Sequence, residues 1–339
     1  EDDIAARPLV ALDAAEVEPG GRAAQVLGVL TGSVLSWILA GWRPTWRFHP
    51  EATRAVAFFG FHIILLETAG AFRNNVDYLL VGRILGAASL GLYTMAYRIP
   101  ELLIRSLNHV LGNVSLAALA ITQSDEARMK KFYFGYLRFI ATFTFPVSAG
   151  LAFIAPVFIP IFLSEKWMPA VVPTALISVA LCITGLGYVP GILYKAISRP
   201  DILNKLAILK MPIAVGILWY ATRWDIVGVA AAQIVIAVIS VSMDLLVANR
   251  VMNYSTGDLF SAVSPAFTST LCMTAVLLLI RALIPEAGWM QLILMVLGGV
   301  LTYCAAIWLI SPATVSQGIA AIRSTMARKE TAIGGVSHD

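Results

Sequence analysis

The chain has 339 residues, of which 59% are hydrophobic and only 13% charged, with a mean hydropathy of +0.81. That is about half the charge of an ordinary soluble domain, which excludes a water-facing monomer. The formal charge is +4, but in so apolar a chain a basic excess reports loop charges that set membrane orientation. Nucleic-acid binding is set aside because no soluble module gathers basic and aromatic residues.

The sequence opens on Glu1, Asp2 and Asp3, without Met or a basic stretch, so no signal peptide is read there and a fragment or clipped start is expected. A helix crossing a bilayer needs about 20 mostly apolar residues. Nine stretches of this sequence qualify: 24–41, 55–80, 88–120, 136–163, 170–196, 203–221, 226–249, 260–284 and 290–310. The expected fold class is therefore all-α, a polytopic transmembrane helix bundle of about nine spans. Pro100, Pro146, Pro156, Pro190 and Pro212 lie inside or near these runs and predict tilted or kinked helices, or span ends. The longest connector, 121–135, carries the polar run TQSDEARMKK and reads as a solvated turn. Residues 1–23 read as a non-membrane tail. Residues 311–339 read as a cytoplasmic tail that opens as a basic interfacial helix around 319–328. Cys182, Cys272 and Cys304 stand in apolar runs with no CxxC or Cys/His spacing, and are expected to be small packing residues, with no metal site.

Orientation follows from the connectors. Arg43, Arg47 and Arg54 crowd one; Arg128, Lys130, Lys131 and Arg138 crowd the connector two spans later. Alternation puts Lys195, Arg199, Lys205, Arg250, Arg323, Arg328 and Lys329 on the same side, against Arg83, Lys166, Arg223 and Arg281 on the other. The positive-inside rule makes the first side cytoplasmic, and the carboxy terminus with it.

Ionisable groups within a span are expensive and mark functional sites by default. On the third span Gly91, Thr94, Arg98, Glu101, Arg105, His109 and Gly112 fall within an arc of about 80° at about 100° per residue. Such a stripe cannot face lipid, so it must face a partner helix or a wet cavity. Glu101 is spaced to bridge both Arg98 and Arg105. One positive charge then remains in excess at mid-span, as a pyrophosphate cavity needs, since guanidinium forks match phosphate oxygens. The alternative is an ion-pair network that only glues helices together. On the second span Glu67, Gly70, Arg73, Asn74 and Asp77 share about 120° of arc. Arg73 and Asp77, one turn apart, are spaced to pair, which leaves Glu67 as a candidate proton or cation site. On the seventh, Gln233, Ser240 and Asp244 form a weaker stripe, more in keeping with an interface anchor than a ligand, while Lys195, Lys205 and Lys210 are expected to snorkel to cytoplasmic headgroups. The candidate substrate-cavity residues are thus Arg98, Arg105, Glu101, His109, Arg73 and Asn74. The candidates for ion coupling are Glu67, Asp77 and Asp244, and no catalytic residue is assigned.

The run RNNVDYLLVGRILGAASLGLYTMAYRIPELL at 73–103 resembles the opening helix pair of the carboxy-terminal lobe in Wzx-type polysaccharide flippases, which belong to the multidrug, oligosaccharidyl-lipid and polysaccharide exporter superfamily. Asn74, Asp77, Val81, Gly82, Arg83, Leu85, Gly86, Leu90, Gly91 and Tyr93 carry the match. FLSEKWMPAVVP at 162–173, with Lys166 and Trp167, is similar to the family's outer turn; GWRPTWRF at 41–48 to its inter-lobe connector; AISRP at 196–200 to a short inner turn. The resemblance implies that 24–54 holds the last helix of an amino-terminal lobe and the inter-lobe loop, 55–252 a six-helix carboxy-terminal lobe, and 258–310 two additional helices. It implies a carrier in a bacterial inner membrane that flips undecaprenyl-pyrophosphate-linked oligosaccharide repeat units by alternating access. Its partners would be that lipid-linked oligosaccharide, membrane lipids, a polysaccharide polymerase and chain-length proteins. No cofactor is expected: a gradient or the membrane potential would drive it, because no GxxxxGK[ST] loop occurs. A multidrug or cation antiporter of the same superfamily shares the fold, but the Arg98 and Arg105 stripe argues for an anionic headgroup. A membrane-embedded polymerase or glycosyltransferase would need a large extramembrane loop or a DxD site that the connectors do not supply.

Overall fold

A computed structural model describes residues 27–28, 30–33, 35–36, 71–72, 75–121, 125–284 and 288–312, the side chains of 105–121 and of residue 200 excepted. The chain divides into two compact units, Glu1–Glu67 and Thr68–Asp339. Within the first, the described residues are helical, and the hydroxyls of Thr31 and Ser36 turn back to donate to the carbonyls of Leu27 and Gly32, at 2.7 Å each. That is the usual way to satisfy a hydroxyl on an apolar helix.

The described residues of the second unit form helices joined by short turns. A helical stretch from 75 to 85 leads into α1 (Gly86–Ile121), followed by α2 (Glu126–Leu163), α3 (Val171–Ala196), α4 (Pro200–Ala221), α5 (Asp225–Met252), α6 (Thr256–Leu283) and α7 (Trp289–Ile310). Among the described residues six stretches are long and apolar enough to cross a membrane, and two of them are broken by backbone turns. The 75–104 stretch reverses at Gly86, whose φ of 88° and ψ of 175° lie in a region open essentially to glycine alone. A straight helix would hold Asp77 and Tyr93 about 24 Å apart, yet their side chains are hydrogen-bonded. The 201–252 stretch breaks at the 3-10 turn Thr222–Trp224, after which Asp225 has a φ of 57°. Among the described residues seven long helices result, corresponding to the last seven of the nine expected spans; most of the expected spans 24–41 and 55–80 lies outside the described residues, as do 37–54 and 313–339.

One expectation is overturned at the start of α2. The 121–135 run is not a solvated turn, because the helix begins at Glu126, ten residues early. Asp125 caps it, accepting from the Arg128 amide at 3.1 Å, and Lys130 pairs with Glu126 at 2.8 Å. At 38 residues α2 is about 57 Å long, against about 30 Å of hydrocarbon, so its polar first turns have room to project past the bilayer. Arg138 consequently sits well inside the helix, half-buried, instead of in a connector. Pro100, Pro146, Pro156, Pro190 and Pro212 all lie within continuous helices, so none of them ends a span.

The expected turns at 162–173 and 196–200 are present, entered through positive φ at Ser164 (81°) and Ser198 (58°). Between α5 and α6, Asn253 is left-handed and Ser255 forms a capping box with Asp258. α3 is the central helix, packed on α1, α2 and α5. One core joins Tyr93, Ala96, Ile177 and Val229, a second Tyr133, Leu137, Leu193 and Met252, and a third ties α2 to α6 and α7 through Val157, Met273 and Met295. Of the cysteines only Cys182 is a packing residue; Cys272 and Cys304 are exposed on α6 and α7. In a bilayer such apolar outward faces are solvated by lipid, so exposure there carries no penalty.

Candidate functional site

Three elements bring a polar cluster together near the Gly86 turn. Asp77 comes from the 75–85 stretch, Tyr93 from two turns into α1 and Gln233 from two turns into α5. Asp77 is 6% exposed. Its Oδ2 accepts from the Tyr93 hydroxyl at 2.9 Å and from Gln233 Nε2 at 2.9 Å, and Gln233 Nε2 also lies 3.0 Å from the Tyr93 oxygen. Both donors are neutral, so they orient the carboxylate without cancelling its charge. A carboxylate held in this way inside a membrane protein marks a place where charge is used.

Aromatic rings carry the cluster outward. Tyr78, Tyr93 and Tyr97 pack at centroid distances of 5.5 to 5.8 Å. Along α1 the buried residues, among those described, are Tyr93, Ala96, Pro100 and Ile104, whereas Gly91, Thr94 and Arg98 are exposed and Glu101 is half-buried between the two faces. The stripe read from the sequence is therefore a real face of α1 as far as Glu101, turned away from the packed core. The side chains of Arg105 and His109 lie outside the described residues, as do Arg73, Asn74 and Glu67 altogether.

Asp244 is placed elsewhere, eleven residues further along α5. It forms an ion pair with Lys210 of α4, in which the two side chains are 14% and 17% exposed. Lys210 therefore does not extend to headgroups as expected; it is engaged inside the helix pair. The Asp244 backbone carbonyl also accepts from the Tyr194 hydroxyl at 2.8 Å. Gly187 of α3 leaves the room for this junction, since a Cβ there would lie 3.1 Å from Val241 Cγ2 and 3.5 Å from Asp244 Oδ2. Lys205 instead pairs with Asp201 at the exposed start of α4, at 3.4 Å, and Lys195 is exposed.

Sequence reasoning missed Tyr93 and Gln233 as the partners of Asp77, and Lys210 as the partner of Asp244. The one signal available was the four-residue spacing from Tyr93 to Tyr97 to Glu101, which puts all three on adjoining parts of one helix face. Among the described residues, no group of three or more His, Cys, Asp or Glu could hold a metal ion.

Among the described residues, a helical bundle with six bilayer-length apolar stretches and one buried, hydrogen-bonded carboxylate defines a multi-pass membrane protein. Residues 23–172 match the family described as polysaccharide biosynthesis protein. Among curated proteins, the chain is 26% identical over 149 residues to the teichuronic acid biosynthesis protein TuaB of Bacillus subtilis, covering 43% of this chain and 31% of that protein. It is 26% identical over 191 residues to the lipopolysaccharide biosynthesis protein WzxC of Escherichia coli, covering 55% and 39%. The chain thus spans well under half the length of these relatives. In fold it is similar to the lipid II flippase MurJ in an inward closed conformation, with a TM-score of 0.67 at 17% identity over 85% of this chain and 62% of that one. These likenesses agree with the resemblance to Wzx-type polysaccharide flippases read from the sequence.

Proposed function

We propose that the full-length protein is a transporter, not an enzyme, which flips an undecaprenyl-pyrophosphate-linked oligosaccharide from the cytoplasmic to the outer leaflet of a bacterial inner membrane. The observation that carries this is the exposed strip of α1, where Arg98 and the adjoining Glu101 interrupt an otherwise apolar span without being packed into its core. An exposed guanidinium at that depth is costly against lipid and useful against a phosphate. The names of WzxC and MurJ fit the same chemistry, a lipid-linked saccharide or peptidoglycan precursor.

In this reading Arg98 and Arg105 grip the pyrophosphate, with His109, Arg73 and Asn74 completing the polar wall. Asp77 is the first candidate for coupling to a proton or cation, ahead of Glu67. Asp244 ranks behind them, because Lys210 already neutralises it. Among the described residues, Arg128, Lys130, Lys131, Arg199, Lys205 and Arg250 crowd one end of the bundle, and that end is assigned to the cytoplasm. A gradient or the membrane potential drives the cycle, and a polymerase with chain-length proteins takes the product. The test is complementation: the full-length gene should restore surface polysaccharide to a strain lacking its own flippase. The purified protein in liposomes should also expose a fluorescent undecaprenyl-pyrophosphate saccharide to an external quencher. Failure of both would discard the reading.

A further inference from the structure

Phe134, Arg138, Thr142 and Phe145 of α2 fall within an arc of about 80° at about 100° per residue, and three of these four touch the last two helices. The Phe134 ring lies 5.3 Å from that of Tyr254, at the entrance to α6, and the Phe145 ring 6.1 Å from that of Phe267 of α6. The Thr142 carbonyl accepts from the Tyr303 hydroxyl of α7 at 2.7 Å. Arg138, one turn from Phe134 and one from Thr142, is thereby placed where α2, α6 and α7 come together. Its side chain is half-buried, its Nε is buried without a hydrogen-bond partner, and no carboxylate among the described residues pairs with it. α7 carries no charged residue. α6 carries Arg281 at its far end and Asp258, whose carboxylate is turned to the Ser255 amide at 3.0 Å as part of the helix cap.

An unpaired, partly buried guanidinium in a membrane protein is costly and by default marks the place of a partner. Depth decides which partner. Arg138 precedes Leu163, the last residue of α2, by 25 residues, about 37 Å along the helix. Beyond Leu163 the chain enters the turn where Lys166 Nζ sits 5.5 Å from the centre of the Trp167 ring, and such basic and aromatic side chains anchor a helix at an interface. With that end at one boundary of a hydrocarbon layer about 30 Å thick, Arg138 falls in the headgroup layer of the opposite leaflet. The anion of that layer is phosphate, and a guanidinium fork meets phosphate oxygens in pairs. The same end of α6 and α7 exposes Phe260, Trp308 and Leu309, which suit acyl chains.

We propose that Arg138 binds the phosphate of an anionic phospholipid, whose headgroup sits among α2, α6 and α7 and ties the last two helices to the bundle. The site is built on different helices from the Arg98 strip and does not depend on the flippase reading. Its test uses the full-length protein in detergent and three probes: dioleoylphosphatidylglycerol, dioleoylglycerol with the same chains and no phosphate, and inorganic phosphate. Native mass spectrometry reads lipid retention, and thermal melting reads stability. The unaltered protein should retain the phosphatidylglycerol and not the dioleoylglycerol, and excess inorganic phosphate should not displace it. R138M should lower that retention about tenfold, as the loss of a charge-assisted hydrogen bond does. R128Q should bind as the unaltered protein, because Arg128 is an exposed cation at the same end that pairs with Asp125. Without lipid R138M should melt no lower than the unaltered protein, since it removes a cation that has no partner; with phosphatidylglycerol the unaltered protein and R128Q should gain in melting temperature and R138M should not. Full retention by R138M, or equal weakening by R138M and R128Q, would overturn the site. So would displacement of the lipid by inorganic phosphate, which would mark a free-anion site. An R138M variant that melts well below the unaltered protein in the absence of lipid would overturn it as well, because Arg138 would then be paired within the protein.

Discussion

Replacing Lys210 with Met removes the cation from a pair whose carboxylate, Asp244, is only 14% exposed. Two outcomes are open to the abandoned carboxylate. It can stay charged, at the roughly 3–5 kcal/mol that breaking a buried pair costs. Alternatively it can take up a proton, which for an ordinary carboxyl at pH 7 costs about 4 kcal/mol, three pH units at about 1.4 kcal/mol each. Both routes give about 4 kcal/mol. Asp244→Asn should cost less, because the lysine left behind can swing its ammonium along a flexible stem toward polar surroundings. The double change Lys210→Met with Asp244→Leu should be close to neutral, since an apolar pair of similar volume replaces the ions. The sign with pH follows from proton uptake: a neutral carboxyl is cheaper to form at low pH, so the K210M deficit should be flat above about pH 7 and shrink below it, approaching about 1.4 kcal/mol per unit. Melting of the detergent-solubilised protein, followed by tryptophan fluorescence between about pH 8 and pH 6, checks this. The expected order of melting temperature is unaltered and double variant together, then D244N, then K210M. A K210M variant that melts with the unaltered protein, a double variant as low as K210M, or a gap that widens on acidification would refute the reasoning. If the stable double variant still exports polysaccharide, the pair is structural and Asp244 is not the coupling carboxylate.

Gly86→Ala puts a Cβ on a residue with φ 88° and ψ 175°, which should cost about 1–3 kcal/mol and loosen the Asp77–Tyr93 junction; unchanged melting would contradict the hairpin geometry. Arg98→Gln or Arg105→Gln should abolish export while the protein still inserts, with Glu101→Gln milder. Normal export by the arginine variants would remove them from the binding site, and a Glu101→Gln variant that is the least stable of the three would favour the ion-pair alternative. In a background lacking Cys182, Cys272 and Cys304, a cysteine replacing Lys131 should resist a membrane-impermeant thiol reagent in intact cells and one replacing Arg223 should react. The reverse pattern would invert the assigned orientation.

That the chain crosses a membrane as helices was determined by its sequence, because about 20 consecutive apolar residues can satisfy their backbone in lipid only within a helix. The turns at Gly86, 164–170 and 196–200 were legible through the resemblance to Wzx-type flippases, and they fall between the apolar runs. The early start of α2 was also readable in principle, since EARMKK consists of strong helix formers whose polarity was taken for a turn. Partnership was not readable. Tyr93 and Gln233 meet Asp77 from 16 and 156 residues away, and Lys210 meets Asp244 from 34. In a soluble helix the contrast between polar and apolar faces would have announced which side is packed. In a bilayer the lipid-facing and neighbour-facing sides are equally apolar, and burial against a helix gains little over burial in lipid. Helix contacts are then chosen by close fit and by a few hydrogen bonds, as at Gly187, Asp77 and Lys210. Such choices are properties of pairs of surfaces, so only the folded bundle could decide that Asp77 is drawn inside while Arg98 stays outside the packed core.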